Sequence, residues 1–159
     1  MTDADADHEA LRRLVLASPW FVRVLEAVRA SGLPDAWVGA GVVRDLVWDG
    51  RQGSFDPATV HDVDVPYFDP SDLRRERDDE ADALLHRLTP DTRWEAKNQA
   101  AVHLWYAGKF DGTPYPPARS IEDAVGRWPE TATSVAVRLD DRDGLEVLAP
   151  CGLADLLGG

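Results

Sequence analysis

Two aspartates separated by one residue, Asp62 and Asp64, are the clearest chemical feature of this sequence. On a β-strand, residues i and i+2 project from the same face, so both carboxylates are expected side by side while Val63 and Val65 enter the core. Adjacent carboxylates repel each other unless a cation neutralises them, and their hard oxygen atoms suit Mg²⁺ or Mn²⁺. Two aspartates on the solvated face of a half-buried strand would have the same spacing, so the pair alone leaves both interpretations open.

A glycine-containing turn upstream, Gly39-Ala40-Gly41, is the second chemical feature. It leads from a short apolar segment into a helical pattern that includes Val43 and Leu46. Backbone N–H groups at a helix N-terminus form a natural phosphate site, and glycine lets a phosphate approach the chain closely. The segment lacks the Gly-Lys-Ser/Thr ending of a Walker loop. A phosphate site followed by paired carboxylates on the next strand is rarer by chance than either feature alone.

The elements that position these residues alternate along the chain. Ser18-Pro19 interrupts the first helical pattern, which predicts two helices, and Gly32 ends the second of them. Val60–Phe68 is predicted as a strand whose Pro66 belongs at a sheet edge or a strand end. The other predicted elements are a strand at 36–38, helices at 43–49, 71–88, 98–106 and 120–128, a strand at 92–96, a hairpin of strands 133–139 and 145–148, and loops at 50–59 and around Pro114. This order predicts an α+β fold, a small mixed β-sheet flanked by helices with a C-terminal β-hairpin.

Bulk properties restrict the class of protein. The length of 159 residues predicts a polar N-terminal tail over 1–7 and one domain over 8–159. The acidic N-terminus does not resemble a signal peptide and no apolar run reaches about 18 residues, so we expect a cytoplasmic protein without membrane contact. Cys151 is the only cysteine, which excludes an internal disulfide. The net charge of −12 disfavours binding to long nucleic acid, and the six tryptophans are interpreted as core residues.

The motifs Gly39-Ala40-Gly41, Val43-Arg44-Asp45 and Asp62-Val63-Asp64 together resemble the signature of the DNA polymerase beta-type nucleotidyltransferase superfamily, in the style of the CCA-adding tRNA nucleotidyltransferases. From about Leu14 to Leu157 the chain is similar to a small bacterial nucleotidyltransferase-like family, formerly classed as a domain of unknown function. The matching segments are Ser18-Pro19-Trp20, Val47-Trp48-Asp49, Asp64-Val65-Pro66-Tyr67-Phe68-Asp69, Trp94-Glu95-Ala96-Lys97-Asn98-Gln99 and Glu130-Thr131-Ala132-Thr133. The chain departs from the family style in two ways: Ala40 replaces a glycine, and the stretch between the turn and the aspartates is longer.

The resemblance implies a site in which three carboxylates hold two metal ions, Mg²⁺ or Mn²⁺. The implied catalytic and metal-binding residues are Asp62, Asp64 and Glu95. The implied nucleotide-binding residues are Gly39, Ala40, Gly41, Arg44, Asp45 and Lys97. One metal would activate an acceptor hydroxyl and the other would hold the triphosphate, so that a nucleoside monophosphate is transferred and pyrophosphate is released. Glu95 could instead be a surface residue paired with Arg93 or Lys97.

Two other functions fit parts of the pattern. In a haloacid-dehalogenase-like phosphatase, Asp62 would be the nucleophile and Asp64 the general acid, but the glycine turn would have no role. A non-catalytic nucleotide-binding domain would keep the fold without turnover. For the transferase, a nucleoside triphosphate is the expected donor, and a small molecule or a protein is favoured as acceptor over RNA because the protein is acidic. A chain of this length leaves no separate substrate domain, so recognition of tRNA is not implied.

Overall fold

A five-stranded sheet organises the chain, which a computed structural model describes over residues 2–106 and 116–158. The strands lie in the order β3-β2-β1-β4-β5; β2 and β3 are parallel and the other neighbours are antiparallel. The helices and strands are α1 (Asp3–Leu16), α2 (Pro19–Ser31), β1 (Val38–Gly39), α3 (Gly41–Arg51), β2 (Val63–Tyr67), α4 (Glu76–Leu88), β3 (Trp94–Asn98), α5 (Val102–Tyr106), α6 (Ile121–Gly126), β4 (Ala136–Leu139), β5 (Leu145–Leu148) and α7 (Ala154–Gly158). The predicted α+β class with a mixed sheet, flanking helices and a C-terminal hairpin is confirmed.

The predicted break between the first two helices is confirmed. Ser18 caps α2, its Oγ accepting the Phe21 N–H across 3.2 Å, and Gly32 ends α2 with a φ of 68° that favours glycine. Residues 3–7, which we assigned to a polar tail, belong to α1, because the Thr2 hydroxyl accepts the backbone N–H of Asp5 and caps the helix there. Met1 and the loop predicted around Pro114 lie outside the described residues.

The two faces of the sheet pack against different partners. Alternate strand residues such as Val63, Val65 and Ala96 enter the main core, where helices α1 to α4 also bury side chains. On the opposite face, a second and smaller cluster joins α6 to the sheet; its buried members are Trp37, Ile121, Val125 and Ala136. The Asp64 and Glu95 side chains belong to this second face, because they alternate with the core residues of β2 and β3.

Strand β2 lies inside the sheet, so of the two positions predicted for Pro66, a sheet edge or a strand end, the strand end agrees with the structure. Pro66 stands next to the last residue of β2, where its carbonyl accepts the Trp37 N–H across 2.9 Å. Because proline has no N–H of its own, it cannot return a hydrogen bond to β1. The β1–β2 ladder is therefore reduced to the pair Gly39–Asp64, and β1 is only two residues long.

Helix α4 begins five residues later than predicted, because a buried asparagine holds the preceding segment as a loop. The Asn98 side chain donates to the carbonyls of Asp69 and Asp72, both across 2.9 Å, and accepts the Asp69 N–H across 2.9 Å. Those bonds fix residues 69–72 in a non-helical path. Strand β3 is correspondingly displaced toward its C-terminal end relative to the predicted range 92–96.

Helix α4 covers the outer edge of β3 with carboxylates. Asp82 accepts the Ala96 N–H across 2.7 Å, and Asp78 accepts the Asn98 N–H across 2.8 Å. These two N–H groups point away from β2, so they would otherwise be unpaired at the sheet edge. Burial raises the pKa of Asp82 above its ordinary value. The strand that carries Glu95 and Lys97 is thereby fixed on both sides.

The C-terminal hairpin is confirmed. Strands β4 and β5 pair antiparallel, and the Asp140 carboxylate accepts the N–H groups of Arg142 and Gly144 inside the connecting turn. Among the helices of the described residues, none combines the length and apolarity that crossing a membrane requires.

Candidate functional site

Three residues from three neighbouring strands stand in a row on the second face of the sheet. Gly39 of β1 pairs with Asp64 of β2, and Asp64 pairs with Glu95 of the parallel strand β3. Residues in register on neighbouring strands project from the same face. The fold therefore places two carboxylates directly beside the glycine turn, which confirms the predicted adjacency of the turn and Asp64.

The turn leads from β1 directly into α3, as predicted. Ala40 has φ 58° and ψ −130°, a backbone conformation that essentially only glycine adopts without strain. The family has a glycine where this chain has Ala40, and the backbone conformation of Ala40 is one that favours glycine. No side chain caps the helix at Ala40, so the first N–H groups of α3 are left for another acceptor.

A cavity of about 240 Å³ opens at this row of residues. Four of the predicted site residues line it: Ala40 of the turn, the two carboxylates Asp64 and Glu95, and the positively charged Lys97. The remaining lining residues are Val65, Pro66, Gln99, Val102, Arg127, Trp128 and Pro129. Of the predicted site residues, the structure thus brings four together around one cavity.

Asp64 is held in an environment that disfavours its charge. Burial, and secondly the neighbouring Glu95 carboxylate, raise the pKa of Asp64 from 3.8 to about 6, while the Lys97 ammonium acts in the opposite direction. A raised carboxylate pKa caused by burial and a like charge is typical of functional sites, and a bound cation would relieve both effects.

Glu95 and Lys97 form an ion pair, with Lys97 Nζ 2.8 Å from Glu95 Oε1. The pairing that we considered as an alternative for Glu95 is therefore present, and it lies in the wall of the cavity beside Asp64. Glu95 is partly exposed, so solvent and ligands can reach it.

Asp62 lies outside this cavity. It precedes β2 and is exposed, because the strand begins only at Val63. Its side chain lines a neighbouring depression with Asp82 and His86, although its charge contributes to the raised pKa of Asp64. Within residues 2–106 and 116–158, no three His, Cys, Asp or Glu side chains are grouped closely enough to hold a metal ion. The three-carboxylate site stays a prediction.

Arg44 and Asp45 occupy the first turns of α3. The Arg44 guanidinium lies 3.5 Å from Asp45 and 3.8 Å from Glu130, and it packs on the Trp48 ring. A Cβ built on Gly41 would lie 3.6 Å from Arg44 Nη2, so the guanidinium reaches back over the helix N-terminus. Neither residue lines the cavity itself.

Gln99 and Trp128 both line the cavity, although the sequence pattern singles out no function for Gln99 and places Trp128 in the core. Glu95, Lys97 and Gln99 are spaced two residues apart, so Gln99 continues the same face of the chain just beyond the end of β3. That spacing is the signal that could have identified Gln99 as a cavity residue. Trp128 follows α6 and approaches Gly39 so closely that a Cβ there would lie 3.0 Å from the indole. No local pattern predicts that contact, because it joins segments about 90 residues apart in the sequence.

A divalent cation fits the chemistry of these residues. Asp64 and Glu95 offer hard carboxylate oxygens on adjacent strands, and burial together with the Glu95 charge raises the pKa of Asp64. Mg²⁺ is commonly bound by one or two protein carboxylates together with water and substrate phosphates. Two carboxylates beside an uncapped helix N-terminus are therefore compatible in chemistry with a metal-bound phosphate.

A strand, a glycine turn and a helix beside strand-borne carboxylates define a polymerase beta-type nucleotidyltransferase, and comparison with known proteins agrees. The chain belongs to the nucleotidyltransferase family, whose sequence model matches residues 26–159. The protein is therefore a nucleotidyltransferase, and the phosphatase alternative is wrong.

A solved structure supports the same assignment. It is an NMR structure described as revealing a CCA-adding enzyme head domain, and it is 30% identical to this chain with a TM-score of 0.72. The similarity covers 94% of this chain and 74% of the other. A comparison with curated proteins found no match.

Proposed function

We propose that this protein transfers a nucleoside monophosphate from a nucleoside triphosphate to a hydroxyl acceptor, releases pyrophosphate, and depends on Mg²⁺ or Mn²⁺. The observation that carries the proposal is the row Gly39–Asp64–Glu95, which places paired carboxylates beside the N-terminus of α3. Anion binding and cation binding are thereby adjacent, as a metal-bound triphosphate requires.

The turn and α3 bind the phosphates. The first N–H groups of α3 and the positive end of its dipole would attract an anion at Ala40 and Gly41. Arg44, whose guanidinium reaches over Gly41, adds a positive charge near this helix end, and Asp45 holds Arg44 from the same helix. Gly39 lets Trp128 pack closely against the strand here, because a Cβ at this position would lie only 3.0 Å from the indole.

Asp64 and Glu95 hold the cation, and Asp62, which lies just outside the cavity, joins them as the third carboxylate when its exposed side chain turns toward the ion. A divalent ion bound here would neutralise phosphate charge and lower the pKa of the attacking hydroxyl. Asp64 lies on β2, next to the turn, and Glu95 lies on β3, one strand farther away. Asp64 is therefore assigned to the phosphate side of the site and Glu95 to the acceptor side. Lys97 neutralises Glu95 in the absence of ligand and is placed to contact a phosphate when Glu95 turns to the cation.

The acceptor that fits best is a small hydroxylated molecule or a protein side chain. The net charge of −12 repels the phosphate backbone of a long RNA. The solved structure described as a CCA-adding enzyme head domain makes an RNA 3′ end the second candidate. Incubation with α-labelled triphosphates, Mg²⁺ and either protein-free or RNA-free cell extract distinguishes them, because the label then appears in different products.

Substitution at Glu95 tests the transfer itself. We expect Glu95→Gln to lower nucleotide transfer by at least about 100-fold with the fold retained, because mutation of even outer-shell partners of metal ligands costs about 10–100-fold. Glu146→Gln is the matched control: Glu146 lies on β5 of the same sheet and pairs with Arg138 across 2.9 Å. Full transfer by Glu95→Gln, or release of inorganic phosphate where pyrophosphate is expected, would contradict the proposal.

Metal dependence has its own test in nucleotide binding. Calorimetric titration of wild type with each triphosphate should show affinity that disappears in chelator and that falls sharply in Asp64→Asn. Asp62→Asn is expected to lose less affinity than Asp64→Asn, because its side chain is exposed and lies at the neighbouring depression. Equal binding with and without chelator would show that the carboxylates do not act through a metal.

A further inference from the structure

The Trp128 indole contacts Gly39 on one side and Gln99 on another. A Cβ built on Gly39 would lie 3.0 Å from Trp128 Cη2, so the six-membered ring covers the sheet partner of Asp64. On the other side of the indole, Nε1 donates a hydrogen bond to Oε1 of Gln99 across 3.4 Å. One flat aromatic group therefore lines the path between the Asp64 carboxylate and Gln99.

Gln99 presents a carboxamide that forms two hydrogen bonds within the protein. The residue is only 7% exposed, yet it lines the cavity. Its Nε2 donates to the carbonyl of Lys97 across 3.2 Å, while its Oε1 accepts from Trp128. A carboxamide has two N–H donors and two acceptor lone pairs, so one donor and one acceptor remain for a ligand. A buried amide with a defined donor and acceptor can discriminate between hydrogen-bonding edges.

The surroundings of Gln99 and Trp128 suit a flat heterocycle. Pro66, Val102 and Pro129 add apolar side chains to the lining of the same cavity. Aromatic side chains stack on nucleobases, and amides read the hydrogen-bonding edges of bases. Gln99 follows Glu95 by four residues on the same strand line, which is about 13 Å of extended chain. A nucleoside monophosphate unit can span that separation with its phosphate at the carboxylates.

We propose that Trp128 and Gln99 form the nucleobase subsite of this enzyme. The base stacks on the indole, and its edge forms hydrogen bonds with the Gln99 carboxamide, so Gln99 determines which nucleotide is preferred. The inference rests on the proposed nucleotide transfer at Asp64 and Glu95. It gives a ligand role to a tryptophan that the sequence pattern assigned to the core.

Inorganic tripolyphosphate separates base recognition from phosphate recognition, because it lacks the base. With Mg²⁺ present, we expect at least one of ATP, CTP, GTP and UTP to bind wild type about ten-fold more tightly than tripolyphosphate, which is about 1.4 kcal/mol. In Trp128→Leu, that triphosphate should bind no better than tripolyphosphate, whose own affinity stays unchanged. Trp128→Phe keeps an aromatic ring and should retain most of the difference.

Trp105→Leu is the matched control, because it removes an indole that is 37% exposed and does not line the cavity. It should leave every affinity as in wild type. Gln99→Glu replaces the N–H donors with an acceptor and should change the order of preference among the four nucleotides. Gln99→Met, which has no amide, should reduce the differences between them.

Two results would overturn the base subsite: equal affinity of wild type for tripolyphosphate and all four nucleotides, or a Trp128→Leu variant that keeps the wild-type preference. Retained tripolyphosphate binding in each variant shows that its fold and phosphate site are intact. Failure of wild type to bind either kind of probe would refute the proposed function, and the base subsite with it.

Discussion

Removing the charge of Asp64 should stabilise the metal-free protein at neutral pH. Burial and the adjacent Glu95 raise the pKa of Asp64 to about 6, above its ordinary value of 3.8. The folded state therefore holds this proton more tightly than the unfolded state does. The group contributes most to stability below about pH 3.8, and that contribution is lost as the pH rises to about 6. In Asp64→Asn the pH-dependent loss disappears.

The size of the effect follows from the pKa. A change from 3.8 to about 6 corresponds to about 3 kcal/mol if the whole difference acts on folding. Asp64 is only half-buried, so water screens part of the interaction with Glu95. We therefore expect Asp64→Asn to be about 1–2 kcal/mol more stable than wild type at pH 7.5 and to match it near pH 3.8.

Urea unfolding in chelator at several pH values measures this difference. Asp141→Asn, at an exposed residue of the turn between β4 and β5, controls for the loss of one negative charge from an acidic protein. Added Mg²⁺ should stabilise wild type but not Asp64→Asn, because only the former retains both carboxylates. A variant less stable than wild type at pH 7.5, or a difference that does not vary with pH, would refute the reasoning.

Two further predictions concern the elements that hold the site. Ala40→Gly should raise stability by about 1 kcal/mol in urea unfolding, because the strain at φ 58° exceeds the entropy that glycine adds to the unfolded chain; an unchanged or lower midpoint would show that Ala40 is unstrained. Asn98→Ala should cost about 2–4 kcal/mol, because it leaves the backbone groups of Asp69, Asp72 and Ala100 without their partner. A loss below about 1 kcal/mol would mean that water replaces these bonds; Ser71→Ala in the same loop is the control.

The sequence predicted the local parts of the site because their signals are local. Ser18-Pro19, the Gly39–Gly41 turn and the alternation around Asp64 each depend on residues within one element. The position of Glu95 followed from the family resemblance, and the parallel register with Asp64 agrees with it. Whether Asp62, Asp64 and Glu95 act together is still to be tested.

The remaining features depend on contacts between distant segments. Asp62 was expected on β2, but the strand begins at Val63, where the Val63 N–H pairs with the Arg93 carbonyl across 2.8 Å. The late start of α4 depends on Asn98, which is distant in sequence from the loop that it binds. Trp128 joins the cavity only because α6 packs on the second face of the sheet. Periodicity within a segment carries no information on any of these contacts.

The carboxylates on the outer edge of β3 also bear on how copies of this protein meet. An exposed strand edge offers unpaired N–H groups to the edge of another molecule, which is a common route to aggregation. Asp78 and Asp82 already occupy the outward N–H groups of Ala96 and Asn98, and they place negative charge where a second strand would approach. Strand-to-strand association of folded molecules through this edge is therefore suppressed. Because burial raises the pKa of Asp82, acidification weakens this protection earlier than at an ordinary aspartate.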